Sequence, residues 1–273
     1  MRRLKLFCAK RRASNGLCRT LTSLLPHSFL HLRDDCPTLL FSNAMPRTLP
    51  AMDNEMPGYQ VKHQTLMLGG HDFVIRSLLD NLQYSDPQGD AAEAGISEAG
   101  WPLFGLVWPS ARILAEAVAS HDLAGRRILE IGCGLGLASL VAHRLDADVT
   151  ASDRHPLTQA FLDRNTALND LPTMAYRTGN WGRANPDLGR FDLIIASDVL
   201  YERHQPEILA SFIEHHANPD AEIVIVDPNR GQRVAFCHSM DTRGFGNRVR
   251  AASKKQNSGE AYSGHVLTFA RDR

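Results

Sequence analysis

No apolar run in this chain reaches the roughly 20 residues that a helix needs to cross a bilayer, so no membrane partner is expected. No Cys-x-x-Cys pair occurs. The five cysteines (Cys8, Cys18, Cys36, Cys133 and Cys237) are an odd number, which argues against a disulfide framework. The twelve histidines fall without ligand spacing, and the neighbours His215 and His216 point apart on an expected helix; no metal site is expected. Thirty basic residues face thirty acidic ones, for a formal net charge of +0. The positive excess that a nucleic-acid binder normally carries is missing, and no nucleic-acid partner is expected. Apolar residues make up 43% of the 273, enough to bury a substantial core.

One shortage is local. No acid precedes Asp34, while Arg2, Arg3, Lys5, Lys10, Arg11 and Arg12 crowd the start. Residues 1–50 therefore read as a segment outside the fold, with three origins open. It is an organelle transit peptide, a disordered basic tail, or an extension upstream of a true start at Met45, Met52 or Met56. A cytoplasmic location is expected, or a mitochondrial one if the leader is a transit peptide. Residues 51–273 read as one domain. Alternation around Gly69-Gly70 predicts a β-hairpin over about 59–77, residues 85–100 read as a loop, and the core runs over about 101–273.

Within the core, strands and helices alternate. Strands are expected at 127–131, 148–152, 173–178, 191–197 and 221–226, and helices at 110–118, 156–168, 205–216 and 230–240. A closing antiparallel pair is expected at 248–253 and 266–270. This pattern predicts an α/β, Rossmann-like seven-stranded sheet, mostly parallel with an antiparallel last strand and helices on both faces. Ligands bind such sheets where the strand order reverses, at the carboxyl ends of the strands.

The segment 128–136, Ile-Leu-Glu-Ile-Gly-Cys-Gly-Leu-Gly, is an apolar strand running into a loop with Gly132, Gly134 and Gly136. Such glycines let backbone N–H groups approach a ligand closely. Asp153, after the next strand, can accept both hydroxyls of a ribose. In a dinucleotide loop the third glycine stands where this chain has Leu137; here it comes one residue early, which disfavours a nicotinamide dehydrogenase. A glycine turn that merely packs helix on strand is the bland alternative, and Cys133 inside it reads as structural.

Glu130-x-Gly132-x-Gly134-x-Gly136 followed by Asp153 resembles motif I of the class I S-adenosylmethionine-dependent methyltransferases. Asp198-Val-Leu-Tyr201 after the fourth core strand, with Trp108-Pro109-Ser110 opening a helix, looks like family 16 of the seven-β-strand enzymes, many of them protein lysine methyltransferases. Asp227-Pro228-Asn229-Arg230 and residues 101–108 are similar to the branch that methylates the β subunit of electron transfer flavoprotein. The resemblance covers roughly residues 101–240 and implies S-adenosyl-L-methionine as cofactor and a protein lysine as acceptor.

It also implies roles. The glycine backbone faces the methionine part of the cofactor. Glu130 stands near its cationic amino group, directly or through water, or else caps loop amides. Asp153 takes the ribose, or else caps the next helix. Asn180 and Trp181 frame the adenine. Trp108 lines the methionine end or the substrate channel, or else packs in the core. Ser197 belongs to the segment beside the glycine loop. Asp198 and Tyr201 stand nearest the transferring methyl, where they orient an amine; the alternative is a capping Asp198 and a packed Tyr201. Arg230 contacts a protein substrate or caps the sheet. Two rival functions remain: methylation of a small amine or heterocycle, and a cofactor-binding interaction module without catalysis. No Asn-Pro-Pro-Tyr type tetrad follows the fourth strand.

Overall fold

The structure, a computed structural model, describes residues 58–183, 185–252 and 262–271. The basic leader and the candidate starts at Met45, Met52 and Met56 lie outside them, as does Ser253. The described chain opens with the hairpin β1 (Val61–Leu68) and β2 (His71–Leu78), turning at Gly69-Gly70. A short helix α1 (Asp90–Glu93) interrupts the expected loop because Asp86 accepts the amides of Ala91 and Ala92. A 3₁₀ turn, Trp101–Gly105, leads to α2 (Pro109–Ala119). There follow β3 (Arg127–Ile131), α3 (Leu137–Arg144), β4 (Asp148–Asp153), α4 (Thr158–Leu168), β5 (Ala175–Thr178) and β6 (Phe191–Ser197). The chain then runs through α5 (Gln205–His216), β7 (Ala217–Asp227), α6 (Arg233–Asp241), β8 (Phe245–Ala252) and β9 (Gly264–Arg271).

Seven strands form one sheet in the order β5-β4-β3-β6-β7-β9-β8. All pairs are parallel except those made by β9, which runs antiparallel to β7 and β8. Side chains alternate faces along a strand, so a strand buried on both sides reads as continuously apolar. In β6, Leu193 and Ile195 join a core with α2, α3 and α4, while Ile194 and Ala196 join a second core with α5 and α6. Helices thus cover both faces. The order reverses between β3 and β6, and the glycine loop and the Asp198 segment leave the sheet side by side there.

Two helices start later than the sequence pattern implies. The helix expected from residue 156 begins at Thr158, because the Asp153 and His155 side chains take the amides of His155 and Leu157 and turn the chain first. The helix expected from residue 230 begins at Arg233, because Gly231 sits at φ +94 and interrupts it. The fifth core strand is longer than expected, Ala217–Asp227 rather than 221–226, and the third is shorter, Ala175–Thr178.

The hairpin docks on the core through two asparagines of α4. Asn169 accepts the Val74 amide at 2.8 Å and donates to the Val74 carbonyl at 2.9 Å. Asn165 accepts the Arg76 amide at 2.7 Å and donates to its carbonyl at 3.2 Å. The side-chain amides imitate a neighbouring strand and satisfy the edge of β2. Asn165 is fully buried. Asn165→Ala should therefore leave two backbone groups unpaired and cost about 2–4 kcal/mol in urea unfolding; a change within experimental error would show that water or a shift of the strand replaces the amide.

Candidate active site

A cavity of about 400 Å³ opens at the carboxyl ends of the central strands, within the range of small-molecule sites. Phe104, Leu106, Leu135, Trp181 and Val199 give it apolar walls, and Asp153 and Asp198 also line it. The loop between β2 and α2 contributes Ile96 and Gly100 to its rim.

Most residues picked from the sequence meet here. Gly132, Gly134, Asp153, Asn180, Trp181, Ser197, Asp198, Tyr201 and Trp108 all line the cavity. The Asp153 carboxylate accepts the Gly134 amide on Oδ2 and the His155 amide on Oδ1, each at 2.9 Å. It therefore fixes the glycine loop against the end of β4 and keeps further lone pairs for a ligand. Burial pushes its carboxyl pKa up, against the pull of those amides. Asn180 accepts the Gly182 amide at 3.0 Å and is braced by Asn185, so part of its acceptor capacity holds the turn that presents Trp181. Trp108 belongs to the cavity wall; its indole donates to the Leu103 carbonyl at 2.8 Å.

Two residues stand elsewhere. Gly136 does not line the cavity. It is the left-handed N-cap of α3, and a Cβ there would come within 2.6 Å of Leu162 Cδ1, so its place is the contact of α3 with α4. Glu130 does not line it either. Its carboxylate accepts the backbone amide of Ser139 at 2.7 Å and the Ser139 hydroxyl in a very short bond, at 1% exposure, which is the geometry of a cap. An acid on the inward face of β3 can reach the first turn of α3 because the glycine loop between them is short.

Burial pushes the Glu130 carboxyl from 4.5 up to about 7; the bonds from Ser139 oppose this and the nearby Asp153 adds to it. The folded chain keeps this proton after the unfolded chain has released it. Its contribution to stability is therefore fully present below about pH 4.5 and lost as pH rises through about 7. That decline amounts to about 3 kcal/mol. Glu130→Gln, permanently neutral, should abolish the decline and leave the variant more stable than wild type at about pH 8 by urea unfolding. Parallel stability–pH curves for the two proteins would contradict the assignment.

At the other end of the cavity, Asp198 sits at φ +57, a strained position that aspartate tolerates better than most residues. Its amide donates to the Val226 carbonyl at 2.9 Å, and its carboxylate receives both Nε and Nη2 of Arg230, at 2.5 and 2.8 Å. It does not cap a helix. Gln205 accepts the amides of Tyr201 and Glu202 at 3.0 and 2.9 Å and so holds the Tyr201 backbone beside the cavity. Burial pushes the Tyr201 phenol up.

Sequence reasoning missed Gln205 and His155. Gln205 heads a helix, and only the fold shows that its side chain turns back on the preceding loop. His155 is 3% exposed, stacks on Phe104 at 3.7 Å and lines the cavity. Burial pulls its pKa down to about 3, so the ring is neutral. Its Nδ1 accepts the Leu157 amide, which leaves the proton on Nε2, an atom without a partner among the described residues. The only advance signal was its position two residues after Asp153.

A mixed seven-stranded sheet, a glycine loop after β3 and an acid at the end of β4 define the fold of the class I S-adenosylmethionine-dependent methyltransferases. The chain belongs to the family described as lysine methyltransferase, which matches residues 97–243. It is 31% identical over 135 residues to Protein N-lysine methyltransferase METTL21A of Xenopus tropicalis, covering 47% of this chain and 62% of the relative. It is 34% identical over 126 residues to Histone-arginine methyltransferase METTL23 of Homo sapiens, covering 43% and 66%. The branch named from the motifs is represented too: Electron transfer flavoprotein beta subunit lysine methyltransferase of Danio rerio is 28% identical over 135 residues, covering 48% and 52%. The match thus spans between about half and two thirds of these relatives. Among solved structures, the T. Thermophilus 16S rRNA N2 G1207 methyltransferase (RsmC) in complex with AdoMet and guanosine superposes with a TM-score of 0.54 at 15% identity, covering 80% of this chain and 52% of that one. That likeness is one of fold.

The residues present fit S-adenosyl-L-methionine. Asp153 offers a carboxylate for the ribose. Trp181, partly exposed in the cavity wall, offers a flat face for a base. The chain's glycine loop lets the ligand lie against backbone.

Proposed function

We propose that this protein methylates the side-chain amine of a lysine in a protein substrate, using S-adenosyl-L-methionine. The observation that carries the reading is that Asp198 and Tyr201 line the same cavity as the glycine loop and Asp153. When bound, the cofactor supplies a methyl group on a sulfonium, which a neutral amine accepts with its lone pair while the carbon–sulfur electrons stay on sulfur. The product nitrogen carries the positive charge, and the one proton released, shed by the lysine ammonium before attack, goes to water.

The chain's own task is placement. Asp153 and the glycine loop hold the ribose and methionine portions, Trp181 covers the base, and the apolar wall excludes water. Tyr201, 42% exposed, stands where an acceptor enters and can hydrogen-bond its nitrogen. A lysine amine has an ordinary pKa of about 10.4 and must shed a proton before it can attack.

Family membership supports a protein acceptor, and the family's description supports lysine. The relative described as a histone-arginine methyltransferase keeps arginine as the second reading. Mass spectrometry of proteomes with and without the gene tests both. Loss of a methyl-lysine supports the reading, loss of a methyl-arginine moves it to the alternative, and a changed small amine with unchanged proteins defeats it. We propose the cytoplasm as the site of action, to be checked by fractionation; recovery in mitochondria would instead make the basic leader a transit peptide.

A further inference from the structure

The acceptor end of the cavity already contains a cation. Arg230 grips Asp198 with two hydrogen bonds, a fork that takes one lone pair from each carboxylate oxygen. The aspartate side chain is 11% exposed and the arginine 43%, so the anion lies inward and the cation stands at the mouth. The guanidinium carbon also lies 5.7 Å from the centre of the Trp108 ring, within cation–π range.

More than Asp198 retains it. Asp227, at the end of β7, is a second carboxylate whose charge acts on Arg230, and it is 1% exposed. The hydrogen bonds to Asp198, with the charges of Asp198 and Asp227, strengthen Arg230's hold on its proton against the pull of burial. Moving Arg230 away would strip the cation from Asp198 and from the field of a second, buried carboxylate together. The guanidinium is therefore a fixed part of the site.

We propose that Arg230 is a specificity-determining residue: it stays paired with Asp198, presents the acceptor with a charge-neutral ion pair, and so makes the site select a neutral nitrogen over a cationic one. The inference rests on the methyltransferase reading. An unpaired carboxylate at this place would attract an ammonium group and hold its proton, and an amine so held has no lone pair to offer. The fixed guanidinium cancels that attraction, while Tyr201 remains to orient the neutral amine.

Two ligands report on Asp198 without any methyl transfer. S-adenosylhomocysteine has a neutral thioether at the reacting position. Sinefungin carries an amine where the cofactor bears its methyl, and near pH 7 an alkylamine is protonated. Calorimetric titration of the full chain should give dissociation constants within about threefold of each other for the wild type. Arg230→Gln should bind sinefungin about tenfold or more tightly relative to S-adenosylhomocysteine, because Asp198 is then open to its ammonium. Asp198→Asn, which leaves the guanidinium alone, should shift the ratio about tenfold the other way, and this variant decides the matter if Arg230→Gln does not fold. Combining the two substitutions should return the ratio to that of the wild type.

A ratio that neither single substitution changes overturns the proposal and leaves the cofactor site intact. A folded wild type that binds neither ligand overturns the reading on which the proposal rests.

Discussion

Asp153→Ala should weaken the binding of S-adenosylhomocysteine by about 30- to 100-fold, the equivalent of roughly 2–3 kcal/mol. Two losses combine. The ribose loses a charged acceptor, and the amides of Gly134 and His155 lose the oxygens that now receive them at 2.9 Å. The second loss loosens the glycine loop itself, so the methionine portion of the ligand should suffer along with the ribose. Asp153→Asn keeps an oxygen for one amide and should fall between the variant and the wild type. Titration calorimetry gives the order directly. Equal affinity for Asp153→Ala and the wild type would mean that the carboxylate is a structural clasp without a ligand.

Gly134→Ala should destabilise the protein by about 2–3 kcal/mol and remove measurable ligand binding. At φ +51 an alanine incurs the left-handed penalty of about 1–2 kcal/mol. Its Cβ would also stand 2.8 Å from the carbonyl oxygen of Phe104, a backbone atom that no rotamer change can move. Relief requires the Trp101–Gly105 turn to retreat, and with it Phe104, a wall of the cavity. Chemical unfolding beside ligand titration checks both halves. A stable variant that still binds would show that the turn adapts and that close contact at residue 134 is not needed.

The fold was legible because its central strands are buried on both faces. Runs such as Phe-Asp-Leu-Ile-Ile-Ala-Ser at β6 leave little choice of structure, and the glycine loop marks where the sheet meets its ligand. The cavity side of the site was legible for the same reason: Gly132, Asp153 and Asp198 follow strand ends, and strand ends at the reversal converge. Helix starts were less so. At residues 154–157 the path depends on which side chain takes which amide, and at 228–232 on residues at positive φ; periodicity carries no record of either. Glu130 shows the limit for single residues. Its place in β3 was legible, yet whether a buried acid faces ligand or helix depends on the length of the loop and the reach of Ser139. The ion pair between Asp198 and Arg230 joins residues 32 positions apart, and the sequence named both without pairing them.

The most direct test of the account is calorimetric titration of the wild-type chain with S-adenosylhomocysteine. The arrangement of Asp153, the glycine loop and the Trp181 turn predicts stoichiometric binding with a micromolar dissociation constant. A folded protein that takes up no S-adenosylhomocysteine would contradict the account and reduce the glycine loop to a packing turn between β3 and α3.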